Sequence, residues 1–421
     1  MNRRIRDRLM TAQEAAKWIQ PDMWVVSAGF YHPQTDSEVF QAVAQNTSFG
    51  KSPMDTTNQL DLHWQAGWKC PDMAVLNVSA LFSEGFVPTT SIANSALLAQ
   101  AAKEIILEWN VNWPSSLIGL HDIYEDACQS KVVRVPVQSL TERFGTTFVP
   151  IDWSKVIAVV KVEKPLSFPS APELTAESVQ IANHLLGFLQ SETHRGRLPQ
   201  HLPPLQTSPG AETRALLRSL RDANWKRLSF FTDVLDDTVV HLIRNGQVIE
   251  ATASTLDLQD ISGDGLTSVL KDIEEHFILR PQGVITASDW LPKLGLVSIN
   301  AAGEVDLVGN VQLQPNIWNT LENTQDFARH ARLSIVVLPS SSFEGLSSRV
   351  VHRVRQVDLA AREIDVIVTE QGIADLRGKS PLQRTEEIIE HCAAPNHRSD
   401  LRRAAGLQSR LSDPAKSFTR P

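Results

Sequence analysis

Short apolar runs alternate with amphipathic stretches along this chain, and that alternation sets its expected architecture. Met73 to Val78, Glu104 to Trp109, Val156 to Val162, Leu333 to Pro339 and Val366 to Val368 are apolar, largely β-branched and short. Such runs read as strands buried on both faces. Trp24 to Ala28, Arg227 to Val234, Leu296 to Asn300 and the fuller span Asp365 to Glu370 read the same way. Between them lie helical patterns at Ser37 to Ala44, Asn94 to Lys103, Ala211 to Leu220 and Thr238 to Arg244. Thr175 to Leu189 has Val179, Ala182, Leu185, Leu186 and Leu189 at helical spacing. Thr11-Ala12-Gln13-Glu14 and Ser380-Pro381-Leu382-Gln383 carry capping-box signatures, the second with proline at N1. Strand and helix alternate in both halves. That predicts an α/β protein of two similar domains, with mainly parallel sheets covered by helices. The Pro- and Gly-rich stretch THRGRLPQHLPPLQTSPG, residues 193–210, marks the expected linker and divides residues 1–200 from 201–421. Residues 45–71 are polar and broken, with no sustained period.

Composition narrows the partners more than the fold. A chain of 421 residues exceeds one ordinary core and suits two domains. The formal net charge of −8 argues against nucleic acid or an anionic membrane surface, because both call for clustered cations. Cys70, Cys128 and Cys392 are scattered without metal-ligand spacing and read as reduced thiols, so a cytoplasmic setting is expected and no metal is. No apolar run approaches the roughly 20 residues that span a bilayer. The basic start MNRRIRDRLM contains Asp7 and lacks an apolar core, so it does not read as a secretory signal. Ten tryptophans suit core and pocket walls.

The chemistry-bearing stretch is DVIVTEQGIADLRGKSPLQR, residues 365–384. A buried strand stops at Thr369, and a carboxylate, a carboxamide and a glycine follow as Glu370-Gln371-Gly372. That is the carboxyl edge of a parallel sheet, where ligand crevices form. Glu370 therefore reads either as a chemical group or as an acceptor for backbone donors at a strand end. FVPTTSIANS (86–95), GLHDIYE (119–125), GRLPQHLPPLQ (196–206), ILRPQ (278–282), INAAGEVDLVGNV (299–311) and HCAAPNHRSDL accompany it in order. Together these stretches resemble the acetyl-CoA hydrolase/transferase family, whose members include succinate, 4-hydroxybutyrate and butyrate CoA-transferases.

The resemblance implies the two-domain CoA-transferase fold and a substrate that is an acyl thioester, on CoA or on a carrier protein, with no further cofactor. The family's transferases use a glutamate nucleophile that forms covalent acyl and CoA intermediates. Its place matches FFTDVLDD, where this chain has Asp233, one methylene shorter. A misplacement of about 1 Å can cost about a hundredfold in a near-attack arrangement. The family's glycine-rich loop falls on Asn319 to Gln325, just before Asp326-Phe327, and holds no glycine here. Residues 45–71 are also shorter than the family's corresponding segment.

These departures resemble shortened members of polyketide pathways. The implied function is release of a polyketide chain from its synthase by lactonisation to an α-pyrone, with Asp233 as general base. The alternatives are an acetyl-CoA hydrolase or acyl-CoA:carboxylate CoA-transferase in which Asp233 replaces the glutamate, and a non-catalytic scaffold. Asp233 and Glu370 are the expected catalytic pair, opening toward one cleft between the domains. Thr232, Gly29, Arg280, Asn300, Gln371, Gly372 and His352 are the expected substrate-binding residues. Arg280 suits a carboxylate or phosphate, or an acid near a strand end. His121 reads as a structural histidine bonded to backbone. A polyketide synthase carrier domain and a second copy of the chain are the protein partners this reading admits.

Overall fold

A computed structural model describes residues 3–29, 36–45, 70–124, 139–166, 168, 170–223, 225–259, 263–314, 321–342 and 345–407. Most of the 45–71 segment lies outside them, with Trp64, Trp68 and Cys128. The first sheet is built from β1 (Leu9–Met10), β2 (Val25–Ala28), β3 (Met73–Leu81), β4 (Gly85–Pro88), β5 (Glu104–Asn110), β6 (Val149–Pro150) and β7 (Val156–Val162). Its order is β1-β7-β5-β3-β4-β6, with β2 also pairing β3. The second comprises β8 (Leu205–Thr207), β9 (Leu228–Asp236), β10 (Val248–Asp257), β11 (Phe277–Leu279), β12 (Val297–Asp306), β13 (Val311–Leu313), β14 (Leu333–Val337), β15 (Val350–Val351), β16 (Val366–Thr369) and β17 (Gly372–Asp375). Its order is β11-β10-β9-β8-β12-β14-β16-β17, with β13 and β15 on β12. Every pairing from β11 through β16 is parallel. The α/β architecture with mainly parallel sheets is thus the observed one.

Continuous apolar runs arise because both faces of the strands are covered. Val25, Met73, Val75, Ile106 and Val160 face the helices Ala12–Ala16 and Glu38–Ala44. Alternate residues Val26, Leu76, Ile105 and Leu107 enter a larger cluster that continues into Phe230, Ala253 and Val368 of the second sheet. The two sheets therefore share one apolar core. Both capping boxes form, Thr11 with Glu14 and Ser380 with Gln383, and the latter starts the helix Pro381–His391.

Three features differ from the sequence reading. The helix Ala176–His194, placed by the division at residue 200 with the first half, packs on the second. His184 Nδ1 lies 3.0 Å from the Thr369 carbonyl, and Arg377 reaches Glu192 at 2.8 Å. Packing thus changes partner ahead of Ala176. Inside the Pro-rich stretch read as a linker, Leu205 to Thr207 form β8, inserted between β9 and β12. Finally, a strand absent from that reading follows β16: the chain turns through Glu370-Gln371 into antiparallel β17.

The first half docks on the carboxyl ends of β10 and β11. Ile92 N–H donates to Ser254 O at 3.0 Å, Leu256 N–H to Thr90 O at 2.8 Å, and Asp122 N–H to Leu279 O at 2.8 Å. Gln282 N–H donates to Ala93 O at 3.1 Å. These contacts put the seam between the halves beside β9, the strand that carries Asp233.

Candidate active site

Asp233 lies near the carboxyl end of β9, and the β9–β10 register places it beside Ser254. Its face of the strand is also that of Phe231, which packs with Phe327, Trp290 and Leu291. Desolvation is accordingly severe: Asp233 is 8% exposed. The Ser254 hydroxyl donates to Oδ1, and Asn323 Nδ2 donates to Oδ2 at 2.6 Å. Burial pushes the carboxyl above its ordinary value, and the two hydrogen bonds oppose that push. A small cleft of about 180 Å³ opens here, lined by Thr207, Ser208, Pro209, Val234, Thr324 and Phe327 around Asp233 and Asn323. A buried carboxylate held from two sides in a small cleft can take a proton or attack a carbonyl.

Asn323 belongs to the stretch read as a glycine-less loop. From Leu321 onward that stretch is the first turn of the helix Leu321–His330. Asn319 and Thr320 lie outside the described residues. A side chain from this stretch, Asn323, thus meets the Asp233 carboxylate directly.

The structure does not bring Glu370 to Asp233. Both sit at the carboxyl edge of one sheet, but β8, β12 and β14 intervene between their strands. Four strand spacings make about 19 Å. Glu370 occupies the β16–β17 turn, where it accepts from the Ser340 hydroxyl, from Ser340 N–H at 2.8 Å and from Gln371 Nε2 at 3.0 Å. Its local role is the strand-end acceptor that the sequence left open. Gln371 thereby serves Glu370, and Gly372 serves packing: at φ +151°, a Cβ there would stand 3.0 Å from the His391 carbonyl.

Other expected ligands are occupied elsewhere. Thr232 is fully buried, and its hydroxyl donates to Thr207 O at 2.9 Å. Asn300 closes a buried triangle, donating to Ser298 Oγ at 2.8 Å and accepting from Gln206 Nε2 at 3.1 Å. His352 is exposed, just after β15. Gly29 follows β2 at φ +83°, where a Cβ would stand 2.5 Å from Asn77 O, so backbone approach explains the glycine. A second cleft, about 410 Å³, lies at the carboxyl edge of the first sheet among Asn77, Asn110, Trp113, Lys164, Leu166 and Phe168. The aromatic wall there is Trp113 with Phe168.

Arg280 is an internal clamp rather than a substrate ligand. It is fully buried, 3.2 Å from Asp122 Oδ2, donates to Glu142 O, and lies 4.9 Å from the centroid of the Phe144 ring. Burial lowers its pKa to about 10, and the Asp122 charge opposes that. Asp122 Oδ1 meanwhile accepts Phe144 N–H at 3.2 Å and Gly145 N–H at 2.7 Å. Asp122→Asn should keep those acceptor bonds while stranding the guanidinium, costing about 3–5 kcal/mol of stability. Urea unfolding measures it; a loss under about 1 kcal/mol would mean that solvent reaches Arg280. Neighbouring His121 donates from Nε2 to Thr89 O at 2.9 Å, and burial lowers its pKa to about 4. It is a neutral, structural histidine.

The site residues missed from sequence are Ser254 and Asn323. Ser254 sits in VIEATASTLD, whose small polar residues conceal a strand, and Asn323 meets Asp233 from 90 positions away. Among the described residues no His, Cys, Asp or Glu group is arranged to hold a metal ion, and no helix is long and apolar enough to cross a membrane.

Two helix-covered, mainly parallel sheets docked along one seam make a CoA-transferase-type fold. A solved 4-hydroxybutyrate CoA-transferase from Porphyromonas gingivalis superposes with a TM-score of 0.70 at 20% identity, covering 95% of this chain and 98% of its own. Residues 265–405 match the acetyl-CoA hydrolase/transferase C-terminal domain. The succinyl-CoA:acetate CoA-transferase of Clostridium kluyveri is 33% identical over 338 residues, or 78% of this chain and 62% of that protein. This chain therefore spans less than two thirds of that relative. The propanoyl-CoA:succinate CoA transferase of Escherichia coli is 33% identical over 341 residues, 79% of this chain and 69% of its own. An acetyl-CoA hydrolase of Kluyveromyces lactis is 31% identical over 360 residues, 83% of this chain and 68% of its own. The chain belongs to the acetyl-CoA hydrolase/transferase family.

Proposed function

We propose that this chain is an enzyme that cleaves an acyl-CoA thioester at Asp233, with the carboxylate acting as a general base. The observation that carries this reading is the Asp233 carboxylate itself, buried in a cleft lined by the second half and held by Ser254 and Asn323. Relatives named as CoA-transferases and acetyl-CoA hydrolases support the substrate class. Burial favours the base role, because desolvation raises proton affinity and the retracted side chain accepts a proton through one water. In the step proposed, Asp233 takes a proton from water and the hydroxide adds to the thioester carbonyl. The tetrahedral adduct then collapses, expelling the CoA thiolate and leaving a carboxylic acid.

A second reading keeps the base and changes the nucleophile. The favouring observation is Asn323, which lies in the stretch without glycine and occupies one face of the carboxylate. An enol oxygen within the acyl chain would then replace water, closing a lactone as in α-pyrone release from a polyketide carrier domain. Incubation with acetyl-CoA, succinyl-CoA and a synthetic β,δ-diketo thioester, with thiol release followed, separates the readings. Acid product from the CoA esters supports hydrolysis; pyrone from the diketo ester alone supports lactonisation. A borohydride-reducible protein thioester on Asp233 would overturn the base role and restore a nucleophile. No thiol release from any of the three would sink thioester cleavage.

A further inference from the structure

Asp233 is the end of a buried chain of side chains that starts at the seam between the two halves. Gln282 Nε2 donates to Asn323 Oδ1 at 2.7 Å, and Asn323 Nδ2 donates to Asp233 Oδ2 at 2.6 Å. Gln282 and Asn323 are 7% and 4% exposed. An ionised carboxylate only accepts hydrogen bonds, so the carboxamide facing it must present its NH2 group. That choice turns Asn323 Oδ1 the other way, where it needs a donor, and Gln282 supplies one. Reversing the Asn323 amide would set oxygen against oxygen at Asp233 and NH2 against NH2 at Gln282.

We propose that Gln282 is a positioning residue for Asp233, locking the Asn323 carboxamide with its NH2 group toward Oδ2. The inference deepens the thioester-cleavage reading and rests on it for its catalytic meaning. Gln282 also joins the halves: its N–H donates to Ala93 O at 3.1 Å, and Arg280, two residues earlier, is held by Asp122. Seating of the first half thus reaches the reacting carboxylate through two amides.

The electrostatic surroundings make the effect readable. Charged groups on the elements around Asp233 are Asp236 on its own strand, Glu250 and Asp257 on β10, Arg280 beyond β11, and Asp326, Arg329 and His330 on the Asn323 helix. Burial raises the Asp233 carboxyl, and the Ser254 and Asn323 hydrogen bonds oppose it. Loss of the Asn323 bond should therefore raise the carboxyl's affinity for a proton.

Gln282→Leu, Asn323→Leu and the double variant test this, each neutral and close in volume. The full chain is assayed for thiol release against pH, and Asp233 protonation is followed by infrared difference spectra against Asp233→Asn. Gln282→Leu should move the acid limb and the carboxyl titration upward by about one pH unit. The double variant should match Asn323→Leu alone. Additive shifts, or no shift in the infrared titration, would overturn the positioning role. An infrared shift that the rate does not follow would uphold it and instead remove Asp233 from the chemistry, which distinguishes the two failures. Thermal unfolding of each variant confirms that the compared proteins are folded.

Discussion

Asp233→Asn should lower thiol release by about 10²–10⁴-fold, the range expected when a positioned acid–base group is removed. The fold should survive, because asparagine matches the shape and ends a buried carboxylate's desolvation. Ser254 can still donate to the new carboxamide oxygen, and the Gln282 and Asn323 amides can flip together so that Asn323 Oδ1 accepts from its NH2 group. The informative companion is Asp233→Glu. If the transferase glutamate differed only by a methylene, restoring it should restore CoA exchange. Here Asn323 bonds Oδ2 directly, and Phe327 and Val234 line the same cleft, so a longer side chain must displace Asn323 to extend toward a thioester. Acetyl-CoA/succinate exchange by the Glu variant should stay at background, measured beside thiol release. Wild-type thiol release from the Asn variant would place the base elsewhere, and exchange by the Glu variant would make Asp233 a shortened nucleophile.

How much of this was legible depended on whether the signal was local. The β-branched runs of β3, β5, β7, β14 and β16 announced strands because both faces are buried, and the Ser380 capping box announced its helix because caps are local chemistry. β10 was hidden by Thr252, Ser254 and Thr255, which look like loop residues but bury their hydroxyls against Leu140 O, Asp233 and Ser91. β8 was hidden by flanking prolines, since a strand three residues long has no period to detect. Among site residues, Asp233 was reached through the family resemblance. Arg280 and Asn300 were chosen for their residue type, and type says nothing of orientation. Arg280 turned out to face Asp122, and Asn300 to face Ser298 and Gln206. The Gln282–Asn323–Asp233 chain was not legible at all, because its members come from three elements that only the fold brings together.

A second buried carboxylate predicts an unusual pH response. At the carboxyl ends of β9 and β10, Asp236, Asp237 and Asp257 share one guanidinium: Arg214 Nη1 reaches Asp237 at 2.7 Å and Asp236 at 3.2 Å. Asp257 is 1% exposed, and its Oδ1 is buried without a hydrogen-bond partner. Burial pushes its carboxyl up to about 7, helped by the charges of Asp236 and Asp237 and opposed by Gln259 and Arg214. The folded protein thus holds this proton more tightly than the unfolded chain, where the ordinary value is 3.8. Its stabilising contribution is complete below that lower value and is lost as pH rises through about 7. Asp233 and Asp236 are displaced in the same direction, so they add to the trend. Asp257→Asn removes its own share of the trend. Relative to wild type, the variant should gain about 3 kcal/mol between roughly pH 5 and pH 8. Urea unfolding across that range is the measurement, with the advantage growing toward alkaline pH. Parallel stability curves would mean that Asp257 ionises at its ordinary value, with the buried Arg214 charge already balancing all three carboxylates.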